Sequence, residues 1–192
     1  MRGELLRVTD AFAEMGLERR PLLDPAAVQS RYLELAPSRH PDRLGGDPAP
    51  LTRLNEARRI LSSPPARLRH LLDLTFPGAA SPTECSPDFE LFSLVGNLTS
   101  SAESLAEKRE RAGSALALAL LKSETLALEK SLASASKKMA GLREKIEATI
   151  RHANDRWPDV VPQDLARLAG ESAFCDRWTE SLRRAGVKLL GG

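Results

Sequence analysis

Residues 38–46 read Ser38-Arg39-His40-Pro41-Asp42-Arg43-Leu44-Gly45-Gly46, and the reading of this stretch decides how the chain around it folds. It holds one of only three histidines. Pro41 fixes its own φ and pushes His40 toward extended backbone, so no helix runs through the stretch and it is stiffer than its surroundings. Gly45-Gly46 then restores freedom. On the N-terminal side, Val28, Tyr32 and Leu35 recur at helical spacing. Asp24 offers an N-cap and Pro25 suits the first helical position, which predicts a helix over about 25–36 that Pro37 disturbs. On the C-terminal side, Asp47-Pro48 can open a helix with Leu51, Leu54, Ala57 and Leu61 on one face. Two helices joined by a stiff corner form a helical hairpin.

Working outward, residues 4–16 carry Leu5, Val8, Phe12 and Met15 on one helical face, and Gly16 can end that helix. Arg19-Arg20-Pro21 breaks the pattern. Ser63-Pro64 starts a short fourth helix with Leu68, Leu71 and Leu72. Four helices within residues 1–75 make a small domain near the lower size limit for a self-sufficient core. Residues 76–87 hold Pro77, Gly78, Pro82 and Pro87 without periodicity and read as a linker.

Residues 88–192 read as a second helical domain. Phe89, Phe92 and Val95 predict a short helix over 88–96, ending near Gly96-Asn97, and Ser100 with Glu103 has capping-box spacing for a new start. From there to Trp157 the chain has no proline and only two glycines, Gly113 and Gly141. One unbroken helix of that length would span roughly 80 Å and could not bury its stripe alone. A fold-back is therefore expected, turning at Ala112-Gly113-Ser114 or in the serine-rich 131–136 stretch; a long coiled-coil arm is the alternative. After Trp157-Pro158 and Pro162, a last helix carries Leu165, Leu168, Phe174, Trp178 and Leu182. The fold class is all-α. Ala-Leu richness at 115–128 also allows a homodimer through the C-terminal helices.

Composition agrees with that class and narrows function. Apolar residues make up 42% of the chain and aromatics only 4%, so Leu and Ala must build the core, which favours helices over sheets. A net charge of +2 gives no basis for a nucleic-acid or lipid surface. No apolar run approaches the roughly 20 residues of a membrane span, and the first residues lack a signal-peptide core. The two cysteines, Cys85 and Cys175, are far apart, which suits a reducing, cytoplasmic compartment. His70 and His152 stand alone, with no second ligand at metal spacing, so neither a metal nor a cofactor is expected. Trp157 and Trp178 read as core anchors, and Lys108-Arg109-Glu110-Arg111 as a solvated helix face. No hydrolase or nucleotide-binding signature occurs, so the chain is not expected to be an enzyme.

A wider set of residues around the corner carries a resemblance. Tyr32-x-x-Leu35-Ala36 precedes His40-Pro41-Asp42. Asn55-Glu56-Ala57-Arg58-Arg59-Ile60-Leu61-Ser62-Ser63-Pro64-Pro65-Ala66-Arg67 and then Leu71-Leu72 follow it. Over residues 5–75 this resembles the J-domain of DnaJ-type co-chaperones, and within them the HscB-like branch that assists iron–sulphur cluster assembly. The resemblance implies that His40, Pro41 and Asp42, with Arg31, Arg39, Arg43 and Asn55, engage a DnaK-type chaperone and accelerate its ATP hydrolysis. Asp42 would meet a partner arginine, His40 would brace the loop and Pro41 would hold it rigid. Glu34 and Ser38 stand where the family usually has lysine or arginine. The resemblance also implies that the C-terminal bundle binds a cluster scaffold protein as client, with Phe89, Phe92 and Val95 as the candidate patch. The competing expectation is a structural interaction protein that keeps the J-like fold and a coiled-coil arm without stimulating any ATPase.

Overall fold

The structure, a computed structural model, describes residues 9–43, 45–79 and 89–190, with only the backbone of Phe89. The described residues form helices α1 (Ala11–Met15), α2 (Pro25–Leu35), α3 (Ala49–Ser62), α4 (Pro64–Thr75), α5 (Phe89–Glu110), α6 (Ala115–Asp155) and α7 (Pro162–Leu190). Short 3-10 turns occupy Ala36–Arg39 and Pro41–Arg43. There is no strand among them, as the composition led one to expect. Chain contacts divide the molecule into two compact units. One comprises Met1–Thr83 with Ala148–Gly170, the other Glu84–Glu147 with Glu171–Gly192. The helix forecast over residues 4–16 is shorter than expected: Thr9 and Asp10 are not helical, and α1 begins at Ala11 because the extended Asp10 caps it. Residues 1–8, most of the 76–87 linker and Cys85 lie outside the described residues.

In the first unit, α1 and α2 both pack on α3. Phe12, Met15, Val28, Leu54, Leu61 and Leu71 form its core, and Tyr32, Leu35 and Trp157 pack against it. The start of α1 shows how five residues can hold a helix. Its first amides have no intrahelical acceptors. The Asp10 carboxylate accepts from Phe12 and Ala13 at 3.0 and 3.2 Å, and the buried His70 ring accepts from Ala11 at 2.9 Å. Gly16 closes the helix in the left-handed region at φ 62°, where a Cβ is disfavoured. Arg67 of α4 is 4% exposed. Its guanidinium donates to the carbonyls of Pro21 and Leu61 at 3.0 and 2.7 Å, which ties α4 to the α1–α2 connection and to the end of α3. In the same unit the Asn154 side chain accepts from the Leu22 amide at 3.3 Å.

The second unit holds stripes from three helices: Leu91, Val95, Leu98, Ala102 and Leu105 of α5, Leu132, Ala135, Met139 and Ile146 of α6, and Cys175, Trp178, Leu182, Ala185 and Leu189 of α7. The long segment does fold back. Its break is at residues 111–114, the first of the two anticipated turns, and the serine-rich 131–136 stretch is helical. A second expectation fails: α5 runs straight through Gly96-Asn97, and Ser100 and Glu103 lie inside it. A mid-helix glycine costs about 1 kcal/mol. Burial of Val95, Leu98 and Ala102 around it outweighs that cost.

Candidate functional site

The corner between α2 and α3 is built from backbone restrictions. α2 ends at Leu35, and the following 3-10 turn begins with Ala36-Pro37; the Ser38 hydroxyl donates to the Leu35 carbonyl at 2.8 Å. His40 is extended at φ −69°, ψ 138°, as its position before a proline requires. Pro41–Arg43 then form a single 3-10 turn, closed by Arg43 N–H to His40 O at 3.0 Å and Gly46 N–H to Pro41 O at 2.9 Å. Gly45 and Gly46 have φ of 67° and 92°, so the glycine pair is what lets the chain turn back into α3.

This geometry presents Asp42 to solvent, with a side chain that is 87% exposed. His40 Nδ1 accepts from the Asp42 amide at 3.3 Å and stands 3.3 Å from its Oδ2. Among the described residues the Asp42 carboxylate meets no lysine or arginine, and the Arg43 guanidinium meets no acceptor. Beside them Tyr32, Leu33, Ala36, Pro37 and Leu51 line an open groove of about 480 Å³. The Tyr32 hydroxyl donates to Asn55 Oδ1 at 2.8 Å, and Arg58 lies over the Tyr32 ring, which fixes α2 against α3 at the groove.

Two sequence-selected arginines are turned elsewhere. Arg31 donates to the Met15 carbonyl at 3.2 Å and pairs with Glu34 at 2.6 Å. Arg39 donates to the Glu14 carbonyl at 3.2 Å and is ion-paired with the Glu14 side chain. Both guanidiniums thus cap the carbonyl end of α1. Leu33, 59% exposed in the groove, escaped the sequence reading. Its signal was there: it is an apolar residue off the Val28–Tyr32–Leu35 stripe of its own helix.

On the second unit, Phe92 is 50% exposed and its ring lies 5.8 Å from Trp178, which in turn packs on Phe174. Arg177 sits over Phe174. Val95 is buried at 4% and so is not part of an exposed patch, and the Phe89 side chain is outside the described residues. Phe174 and Trp178 were read only as the packed stripe of the last helix. Their place beside Phe92 depends on how α5 and α7 lie against each other.

Among the described residues no three His, Cys, Asp or Glu side chains converge as metal ligands, and no helix is long and apolar enough to cross a membrane. No known family's sequence profile matches the chain. Its backbone is similar to that of a solved structure, the chaperone HscB from Vibrio cholerae, at 16% sequence identity and a TM-score of 0.62, over 94% of this chain and 99% of that one. The chain therefore has an HscB-like, all-α fold.

Proposed function

We propose that the chain is a J-domain co-chaperone: it stimulates ATP hydrolysis by a DnaK-type chaperone and delivers a client to it. The observation that carries this is the exposed Asp42 carboxylate on a proline-stiffened corner, with no lysine or arginine partner among the described residues. A rigid, unpaired carboxylate can take a bidentate guanidinium from another molecule with little ordering cost. In this reading His40 and Pro41 hold the corner, Arg43 supplies an adjacent cation and Asn55 positions Tyr32 at the groove edge. The chain performs no chemistry itself. The client surface is the aromatic patch of Phe92, Phe174 and Trp178, extended by Phe89, and an iron–sulphur scaffold protein is the proposed client. The chain would act in the cytoplasm.

A single-turnover ATPase assay with a DnaK-type chaperone tests the first part. The wild type should accelerate hydrolysis and Asp42→Asn should not, while its thermal stability stays unchanged because the side chain makes no structural contact beyond His40. Equal rates for the two would refute the assignment. A second reading, a non-stimulating interaction protein, rests on Arg31 and Arg39 being engaged at α1 rather than offered to a partner. It predicts no acceleration by either protein. For the client, Phe92→Ala should weaken capture of a cluster scaffold, and unchanged capture would remove the patch from consideration.

A further inference from the structure

The second unit has a vacant place in its bundle. The short connection over residues 156–161 turns α7 back antiparallel to α6, and the contact of Cys175 with Met139 and the pair of Asp176 with Arg143 at 2.8 Å set their level. Counting along both helices, the last residue of α7, Leu190, comes level with α6 between residues 124 and 129. At that level the Lys108–Glu124 pair at 3.4 Å and the bond from the Arg109 guanidinium to the Leu189 carbonyl join α5 to both helices. Residues 115–123 of α6 therefore run past Leu190, and among the described residues they have α5 beside them. The slot a third helix would fill is a groove of about 440 Å³ lined by Arg109, Ala115, Leu118, Lys122, Leu126 and Glu129.

The overhang is apolar where it should be wet. Leu116 and Leu120 are 71% and 72% exposed, and Leu118 and Leu126 are 45% and 48% exposed. A helix apolar on several faces is normally covered. The groove face also carries a charge pattern that is complementary to itself. Lys122 and Glu129 lie seven residues apart, hence on one side of α6, and among the described residues neither has an ion-pair partner. Reversing the helix about a point between Thr125 and Leu126 exchanges these two positions. It also sets Leu118 opposite the exposed Ala133, a large side chain against a small one.

We propose that this face binds a second copy of the chain: α6 of one molecule lies antiparallel to α6 of the other across a two-fold axis near Thr125 and Leu126. Lys122 of each then meets Glu129 of the other, and Leu118 and Leu126 of each cover the groove of the other. An unrelated helix would have to bring its own matching charges, whereas the copy already carries them, and symmetry counts each contact twice. The inference does not depend on the co-chaperone reading.

Sedimentation of the full chain over a concentration series tests it, with far-ultraviolet circular dichroism as the check on folding. Wild type should dimerise with a dissociation constant below roughly 100 µM. Lys122→Glu alone and Glu129→Lys alone should each weaken the dimer by about tenfold or more, and the double reversal should return it close to wild type. Leu118→Asp should dissociate it with helicity unchanged. A wild type that stays monomeric at roughly 100 µM overturns the proposal and leaves the slot for a helix of a different protein. A double reversal no tighter than the singles also overturns it, because the register would be wrong.

Discussion

Replacing His70 by Phe isolates one hydrogen bond whose strength depends on pH. His70 is 6% exposed, and its Nε2 accepts the amide of Ala11, itself 1% exposed, at 2.9 Å. The ring also stacks on Phe12 at 5.9 Å with 12° between planes, and phenylalanine preserves that contact. What His70→Phe removes is the only acceptor for a buried helix-starting amide. An unsatisfied buried donor costs about 1–3 kcal/mol, which for a domain of this size lowers the Tm by about 5–15 °C. The accepting nitrogen must be unprotonated. Burial pushes the His70 pKa below its ordinary 6.5, and outweighs the opposing pull of Asp10 and Asp73; Arg19 adds to the downward shift. Since the unfolded chain binds the proton more readily, stability rises with pH through this window. The contribution is complete above 6.5 and is lost as pH falls below it toward the folded value. The Asp10 carboxyl titrates lower, below 3.8: burial raises it, but the Arg19 hydrogen bond and the Ala13 and Phe12 amides outweigh that, so its window does not overlap. Thermal unfolding between about pH 7.5 and pH 5 should show the two proteins well separated at the upper end and converging at the lower, with wild type doing the moving. Hydrogen exchange at the Ala11 amide should follow the same course. Parallel curves across the range would refute the claim that a neutral imidazole holds α1 in place.

Other perturbations test neighbouring parts of the first unit. Gly16→Ala should lower stability by about 1–2 kcal/mol in denaturant unfolding, because φ is 62° there and a Cβ would come within 2.7 Å of the Arg31 guanidinium. Arg67→Met should cost about 2–3 kcal/mol by leaving the Pro21 and Leu61 carbonyls without a donor. Arg67→Lys should recover less than half of that, since one ammonium does not reproduce the fork that spans both carbonyls; equal stability of the Lys variant and wild type would contradict the bridge. Burial lowers the Arg67 pKa to about 10, so the guanidinium stays charged and the bridge does not vary with pH through the neutral range.

Much of the first unit was legible in the sequence because its signals are local. Asp24-Pro25, Ser63-Pro64 and Gly16 mark helix ends through restrictions on their own backbone, and each end they mark is where they put it. The corner at His40-Pro41-Asp42 was equally plain, since a proline and a glycine pair act on the chain whatever surrounds them. Local signals misled where packing could overrule them. Gly96-Asn97 and the Ser100–Glu103 spacing suggested a helix end and a new start, yet burial on both sides keeps α5 continuous.

Only the tertiary structure decided which charges are free. Arg31, Arg39 and Asp42 look alike as exposed charges near a loop, but the two guanidiniums reach Met15 and Glu14, far back in the sequence, while among the described residues the carboxylate reaches no lysine or arginine. Nor could helical periodicity show that Phe92 meets Trp178. Capping and turn chemistry act over three or four residues, so the amino-acid order alone dictates them. Partnering of side chains and the exposure of a helix face depend on what another segment brings alongside, and that is settled only when the helices pack.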